Sequence, residues 1–297
     1  FVLLGFAGGS YDIAALVAAD GAGVRESPLY GAILALVLAG ALTKSAQFPF
    51  HFWLPNAMAA PAPASAYLHS STMVKAGLYL LARLAPVLGG TWGWTFWVTA
   101  FGAATMFLGG YLAIQQNLMK RMLAYSTVSA LGAVTMLLGL GFDSAAKAAV
   151  AFVLAHALYK AALFLVAGAV DHATGERDVT QLGGLARWMP FTAAAAAVAA
   201  LSMSGIPLMF GFVAKEMLYA SCLQAYGPSA LIVTVLSLIA SMFFLVVALC
   251  VAWRPFHGAP VATPKPPHEA PFSMWAGPAV LGAGTLALGL FPGLVAP

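Results

Sequence analysis

The sequence contains very few charged residues. Asp, Glu, Lys and Arg make up 7% of its 297 residues, whereas an ordinary soluble domain contains about 25%. So few charges cannot cover the surface of a water-soluble protein of this size. The formal net charge of +4 is distributed over many loops, so it forms no basic patch for nucleic acid.

Cysteine is also scarce, and its positions exclude a disulfide framework. The two cysteines, Cys222 and Cys250, lie in apolar segments and form no CxxC motif. We interpret them as packing residues, because a free buried cysteine behaves as a small hydrophobic residue. The sequence also contains no phosphate-binding loop and no metal-ligand cluster. We therefore predict no cofactor and no metal site.

Long hydrophobic segments are what the sequence has instead. Hydrophobic residues make up 62% of the chain, and about 20 apolar residues suffice for a helix to cross a bilayer core of roughly 30 Å. We predict an all-α polytopic membrane protein, with residues 1–297 forming a single membrane domain of about eight spans. The opening FVLLGF resembles the tail of a helix, so we expect an N-terminally truncated fragment that begins with a helix stub. The predicted spans are 29–58, 64–85, 93–114, 122–141, 145–170, 189–222, 228–252 and 274–294.

The loops carry enough cations to predict an orientation. The proline-rich segment 253–273 reads as an extended surface loop. If successive spans alternate in direction, six loop cations share one side of the membrane and three share the other. The positive-inside rule assigns the larger group to the cytoplasm. That group comprises Lys120, Arg121, Arg177, Arg187, Arg254 and Lys265.

Four lysines fall inside the predicted spans. Each charged lysine at the bilayer centre opposes insertion by about 2.5 to 3.5 kcal/mol. Lysines near a helix end reach the headgroups, but Lys44, Lys75 and Lys160 lie too deep for that. Lys215 lies nearer the end of its long segment. Because desolvation disfavours a charged amine, a buried lysine can take up and release a proton.

Histidines and one carboxylate accompany these lysines. His156 and Lys160 are four residues apart, so they share one helix face. His69 and Lys75 are six residues apart, on the same span but on different faces. The alternative for each histidine is a packing role. Glu216 is the only carboxylate that we place inside a span.

Two prolines interrupt the two long segments. Pro49 cannot donate to the carbonyl of Ser45, and Pro207 cannot donate to that of Met203, so each breaks its helix. Freed backbone groups at membrane depth must be buried in protein or line a wet cavity. Broken helices at corresponding places in two halves indicate a transport path built on inverted repeats. Because the two broken segments lie five spans apart, we predict an inverted five-helix repeat.

Three blocks of sequence resemble a known family. KSAQFPFHFWLPNAMAAPAPASAYLHSSTMVKAGLYLLARL, HALYKAALFLVAGAVDHATGERD and GIPLMFGFVAKEML are similar to the antiporter-like subunits of respiratory complex I and of Mrp-type cation/proton antiporters. Within that family, FHFWLPNAM and the lysine of STMVKAG are most similar to the large A subunit of the Mrp antiporters. The resemblance implies an inverted five-helix repeat with two discontinuous transmembrane helices.

The resemblance also implies roles for individual residues. Lys44 and Lys215 match the lysines of the two broken helices, His69 and Lys75 match the connecting helix, and His156 and Lys160 match the central relay. The family pairs the first lysine with a glutamate on an earlier helix, which this sequence lacks. Some complex I relatives carry a second histidine where this chain has Phe152.

The implied function is proton translocation in a multisubunit antiporter that exchanges sodium or another monovalent cation. We therefore expect not an enzyme but a transporter subunit, partnered by other membrane subunits in a bacterial cytoplasmic membrane. One alternative is a proton-pumping membrane subunit of respiratory complex I. The second alternative is a purely structural membrane scaffold.

Overall fold

The chain is helical throughout the part that the structure describes. The computed structural model describes residues 1–225 and 227–294, so the last three residues of the predicted domain lie outside it. Within those ranges it contains no strand. The α-helices are α1 Val2–Gly8, α2 Ile13–Ala18, α3 Ala22–Arg25, α4 Tyr30–Lys44, α5 Trp53–Asn56, α6 Ala62–Ala66, α7 Ala76–Leu88, α8 Trp92–Ile114, α9 Met119–Leu140, α10 Asp143–Thr174, α11 Pro190–Ser204, α12 Phe210–Leu223, α13 Pro228–Ala248 and α14 Phe272–Leu290.

Five of these helices are long and apolar enough to cross a membrane, which confirms a multi-pass membrane protein. They are α8, α9, α10, α14 and α13 together with the π-helical turn that follows it. The other three predicted spans are divided into shorter helices. Predicted span 64–85, for example, consists of α6, a π-helical turn at Tyr67–Ser71, a 3-10 turn at Met73–Lys75 and the start of α7.

Helix α10 lies at the centre of the bundle. It packs against α9, α11, α12 and α14, and alanines such as Ala148, Ala155 and Ala162 let those helices approach it closely. Its 32 residues rise about 48 Å at 1.5 Å per residue, which is more than the thickness of a bilayer core. Helix α10 is therefore long enough to contact its neighbouring helices at any depth of the bilayer core.

Helices α8 and α9 approach each other closely through their backbones. An added Cβ on Gly132 would lie 2.3 Å from the backbone nitrogen of Met106. An added Cβ on Gly102 would lie 2.2 Å from the backbone nitrogen of Met136. Glycine is therefore required at both positions, because any side chain would push the two backbones apart.

Both long predicted segments are interrupted, as expected of discontinuous helices. Helix α4 ends at Lys44 and helical geometry resumes only at Trp53, whereas α11 ends at Ser204 and α12 begins at Phe210. Each break contains a non-glycine residue in the left-handed region, Ala46 with φ 48° and Leu208 with φ 75°. In each case the helix ends before its proline, because the residue preceding a proline disfavours helical geometry.

The loops that carry the larger group of cations meet at one end of the bundle. The backbone nitrogen of Met119 donates to Arg177, that of Gly184 donates to His257, and that of Lys265 donates to Thr174. Residues 254–271, which we call the strap, run between these loops without helical structure. The sequence predicts an extended loop over 253–273.

Helices α4 and α11 begin at opposite ends of the bundle. At the start of α4, the Tyr30 hydroxyl donates to the carbonyl of Leu88 and also contacts the Thr91 hydroxyl. Helix α11 begins beside the strap, where Glu269 accepts hydrogen bonds from Phe191 and Thr192. The two broken helices therefore run antiparallel. The full five-helix inverted repeat stays a prediction.

Candidate functional site

One face of α10 brings most of the predicted site together. Val153, His156, Lys160 and Phe164 lie at helical spacings of three and four along it, over roughly 16 Å of the helix axis. Lys160 is fully buried and His156 is 1% exposed. The neighbouring helices supply side chains to this face, so α10 is the axis of the candidate site.

Lys160 is held by groups that carry no charge. Its Nζ donates to the Ser126 hydroxyl of α9 at 2.6 Å and lies 3.9 Å from the Met203 sulfur of α11. It also faces the Tyr159 ring at 5.8 Å. A neutral amine can occupy this environment as well as a charged one can, because Ser126 can either accept or donate a hydrogen bond.

Lys215 points back to the first half of its broken helix. Its Nζ donates to the carbonyl of Ser204, the last residue of α11, at 2.9 Å. The last carbonyls of a helix have no intrahelical partner and carry partial negative charge. Gly205, at φ 77°, provides the space, because a Cβ there would lie 2.6 Å from Lys215 Cδ. The break in the helix therefore frees the carbonyl that binds this amine.

A single aromatic ring separates the last two lysines. The centroid of Phe244, on α13, lies 5.9 Å from the Nζ of Lys160 and 5.5 Å from that of Lys215. The ring is 4% exposed. Cations are attracted to aromatic faces at such distances, so whichever amine is charged interacts favourably with this ring.

The segment before α7 places the other two predicted residues along α10. Lys75, in a 3-10 turn, donates from Nζ to the carbonyl of Val153 at 3.2 Å, which is one turn before His156. The His69 ring, in the π-helical turn, lies 6.0 Å from the Phe164 ring. His156 follows Val153 by three residues and precedes Lys160 by four on the same helix. The predicted connecting residues therefore flank the two central ones.

His69 and His156 are enclosed, and among the described residues their ring nitrogens have no hydrogen-bond partner. Each of the two histidines is 1% exposed. Buried polar groups in folded proteins are almost always satisfied by protein or by ordered water. Both imidazoles are thus suited to hydrogen bonding with water inside the bundle.

Lys44 differs from expectation. The sequence predicts a deeply enclosed lysine, but it is the last residue of α4 and is exposed on the surface of the described chain. The helix ends there because the chain turns at Ala46 ahead of Pro49. Its amine lies at the negative end of the α4 dipole, which still favours a cation.

Glu216 also lies apart from the other predicted residues. It is adjacent to Lys215 in sequence, yet its side chain is exposed while Lys215 is 7% exposed. Neighbouring helix positions point about 100° apart, so the carboxylate faces out of the bundle. No ion pair joins these two residues among those that the structure describes.

Sequence reasoning missed the groups that hold the amines. These are the hydroxyl of Ser126, the carbonyl of Ser204 and the ring of Phe244. Serine and phenylalanine are frequent in membrane helices, so nothing in the sequence distinguishes these three. One signal was present, since a lysine after a helix break predicts contact with the freed carbonyls.

Among the described residues, the buried side chains of the charged residue types are all lysines. Lys160 and Lys215 are buried, but no aspartate or glutamate is. Buried lysines usually pair with carboxylates, and this bundle uses neutral acceptors and aromatic faces instead. These properties define an integral membrane bundle whose central helix is lined by enclosed lysine and histidine side chains.

Comparisons with known proteins agree with this description. A family profile described as NADH:quinone oxidoreductase/Mrp antiporter, TM matches residues 1–244. That match covers more than half of the chain. The chain therefore belongs to this family of membrane proteins.

Two similar proteins are named as antiporter subunits. The chain is 48% identical over 295 residues to the A/B subunit of a probable K(+)/H(+) antiporter of Rhizobium meliloti, with 98% of this chain and 29% of that protein covered. It is 42% identical over 296 residues to the A subunit of the Na(+)/H(+) antiporter of Alkalihalophilus pseudofirmus, with 92% of this chain and 37% of that protein covered. The chain thus spans well under half the length of these relatives.

A solved structure has the same fold. The structure of the Mrp complex from a Dietzia species contains a chain that superimposes with a TM-score of 0.85 at 36% sequence identity. The match covers 99% of this chain and 32% of the other. The fold described above is therefore the fold of this family.

Proposed function

We propose that this chain is the proton-conducting part of a multisubunit antiporter that exchanges sodium or another monovalent cation for protons. The observation that carries the proposal is the alignment of Lys75, His156 and Lys160 along α10, with Lys215 beyond the Phe244 ring. All four are shielded from solvent to a large degree, and none is paired with a carboxylate among the described residues.

In this proposal protons move along α10 in discrete steps. A proton passes between Lys75 and Lys160 through His156 and intervening water, and His69, beside the Phe164 ring, extends the row beyond Lys160. When Lys160 becomes charged it disfavours charge on its neighbours. The proton then moves past Phe244 to Lys215, where the carbonyl of Ser204 accepts a hydrogen bond from the charged amine. Lys44 completes the path at the first helix break, with a partner outside this chain.

The proposed direction follows from the loops. We assign the end of the bundle that carries the strap, Arg177 and Lys120 to the cytoplasm, because it holds the larger group of cations. The membrane is then the cytoplasmic membrane of a bacterium. The other subunits of the antiporter are the proposed partners.

The antiporter is favoured over a complex I subunit. Both relatives described above are named as antiporter subunits, and the description of the family names NADH:quinone oxidoreductase beside the Mrp antiporter. The genes beside this one provide a direct check. Small antiporter subunits there support the proposal, and subunits of a redox enzyme support the alternative.

The test is to replace Lys160 by Ala in the full-length subunit of the assembled antiporter. Inverted membrane vesicles are energised, and the proton release caused by added Na⁺ or K⁺ is followed with a pH-sensitive dye. We expect a loss of about 100-fold or more, which is the scale for removing a positioned proton-transfer group. The same assay of Lys44→Ala tests the first helix break.

The matched control is Lys147→Ala. Lys147 is on the same helix, but it is exposed near the first turn of α10. Full activity is expected of this variant, with equal amounts of all variants in the membrane. Normal cation-dependent proton release by the Lys160 variant would instead support the structural scaffold.

A further inference from the structure

A small cavity lies at the end of the bundle where α9 begins. Its volume is about 210 Å³, and its walls come from the start of α9, the end of α10 and α5 with the 3-10 turn that follows it. The charged residues of its lining are Lys120, Arg121, Asp171 and Arg177. Three cations therefore face one carboxylate, and the cavity carries an excess of positive charge.

The cavity lies at the level of the membrane surface. Helices α8 and α9 are both apolar enough to span a membrane, and their 23 and 22 residues rise about 33 to 35 Å, close to the thickness of a bilayer core. Residues 115–118, which join the two helices, must lie outside that core, because irregular backbone is not exposed to lipid chains within it. Arg177 is at the same level, since its carbonyl accepts from the backbone nitrogen of Met119.

The cations of the cavity have donors left for an anion. Arg177 donates through Nε to both oxygens of Asp171, at 3.1 and 3.0 Å, and the guanidinium has four further N–H groups on its terminal nitrogens. Lys120 donates to the carbonyl of Ala60 at 3.2 Å, which uses one of its three protons. Arg121 is exposed beside them. Because Asp171 balances one of the three cations, two remain for a ligand.

We propose that this cavity binds the phosphate group of an anionic phospholipid such as phosphatidylglycerol. Guanidinium and ammonium groups hydrogen-bond phosphate oxygens strongly, and basic pockets between membrane helices bind anionic headgroups. A zwitterionic lipid brings an ammonium group of its own, which the excess positive charge of the cavity repels. Leu118 lines the same cavity and is 37% exposed, so an apolar surface for a lipid chain lies beside the phosphate-binding groups. A free phosphate ion would make no use of that surface.

Photolabelling of the full-length subunit in the assembled antiporter tests the proposal. The complex is placed in phosphatidylcholine nanodiscs that contain a small fraction of phosphatidylglycerol with a photoactivatable group beside its glycerol. Mass spectrometry then maps the labelled residues. We expect labels at 55–59 and 118–121, and about fivefold fewer from phosphatidylcholine that carries the same group. Excess inorganic phosphate should leave the labelling unchanged, because it cannot replace the lipid chain.

Variants of one arginine separate the effect of charge from that of a disturbed fold. Arg121→Gln should lower the labelling about fivefold, whereas Arg121→Lys keeps the charge and should stay within about twofold of the original protein. Arg187→Gln is the matched control, since Arg187 is exposed in the loop that contacts the strap, at the same end of the bundle, and should label normally.

Three results would each overturn the proposal: equal labelling by the two lipids, normal labelling of Arg121→Gln, or displacement of the lipid by inorganic phosphate. The measurement follows lipid and not protons, so its outcome is independent of the proton path proposed along α10.

Discussion

At the scale of single residues, the buried lysines are positioned by neutral groups. Lys75 and Lys215 donate to backbone carbonyls and Lys160 donates to a hydroxyl. A carboxylate partner would hold each amine in its charged form. Carbonyls, hydroxyls and aromatic faces orient the amine but leave its proton exchangeable, which is the property that a proton path needs.

Phe244 provides the residue-scale prediction. Replacing it by Leu keeps an apolar side chain but removes the aromatic face between Lys160 and Lys215. Cation–π interactions are worth about 0.5 to 2 kcal/mol, so we expect antiport to slow by roughly 2- to 30-fold. The measurement is the initial rate of cation-dependent proton release in vesicles.

The neighbouring residue is the control for this prediction. Phe243 lies on the same helix, but its ring packs against Phe107 and Tyr111 of α8, and the amines that face aromatic rings in the described part of the chain face other residues. Phe243→Leu should therefore transport at the normal rate. Equal rates for the two variants, at equal abundance, would contradict a role for the Phe244 ring.

The sequence predicts which residues can exchange protons but not how they are held. Helical spacing is enough to pair His156 with Lys160, because both are on one uninterrupted helix. The contact between Lys160 and Ser126 is tertiary, and no local pattern reveals it. Lys44 shows a second limit of sequence reasoning. Its depth within an apolar segment does not indicate which face of the helix the neighbouring helices cover.

At the scale of helices, the close packing of α8 against α9 limits the size of the residues at their contact. Gly132→Ala is expected to destabilise the protein by about 1 to 3 kcal/mol, as overpacking does, because the new Cβ would meet the backbone of Met106. The measurement is the thermal aggregation temperature of the solubilised complex, together with the amount of this protein in the membrane.

A glycine with ordinary surroundings serves as the comparison. A Cβ on Gly284 of α14 would lie 3.8 Å from a methyl carbon of Leu158, which is normal contact. Gly284→Ala should therefore be neutral or slightly stabilising, since alanine favours helix. A Gly132 variant as stable as this one would show that α8 and α9 can separate without cost.

Helix content and helix breaks could be predicted because their causes are local. Apolar length gives the spans, and Pro49 and Pro207 give the interruptions. The point at which each break begins could not be predicted, because Ala46 and Leu208 adopt left-handed conformations that their residue types disfavour. Tertiary contacts must stabilise these conformations, such as the hydrogen bond from Phe48 to the Thr105 hydroxyl of α8.

At the scale of the whole molecule, the strap joins the ends of four helices. Its carboxylate, Glu269, accepts from the backbone nitrogen of Phe191 at 2.8 Å and from the Thr192 hydroxyl at 2.6 Å. Both donors are in the first turn of α11, where backbone N–H groups need acceptors. Glu269 thus caps α11 from a distant part of the sequence.

Removing this cap should loosen the strap and the start of α11 together. We expect Glu269→Ala to cost about 1 to 2 kcal/mol, measured as faster amide hydrogen exchange over residues 189–193 and 257–269. Glu26→Ala, at an exposed carboxylate outside the bundle, should leave exchange unchanged. Faster exchange in only one of the two segments would mean that they are not coupled.

The absence of buried carboxylates among the described residues has a consequence for selectivity. An alkali metal ion keeps its charge wherever it goes, so lysine-rich surroundings repel it. A proton instead becomes part of a neutral amine and needs no ligand cage. We therefore expect the interior around α10 to accept protons and to exclude alkali metal ions. Sodium or potassium is expected to cross where acidic oxygens can replace the water molecules around the ion.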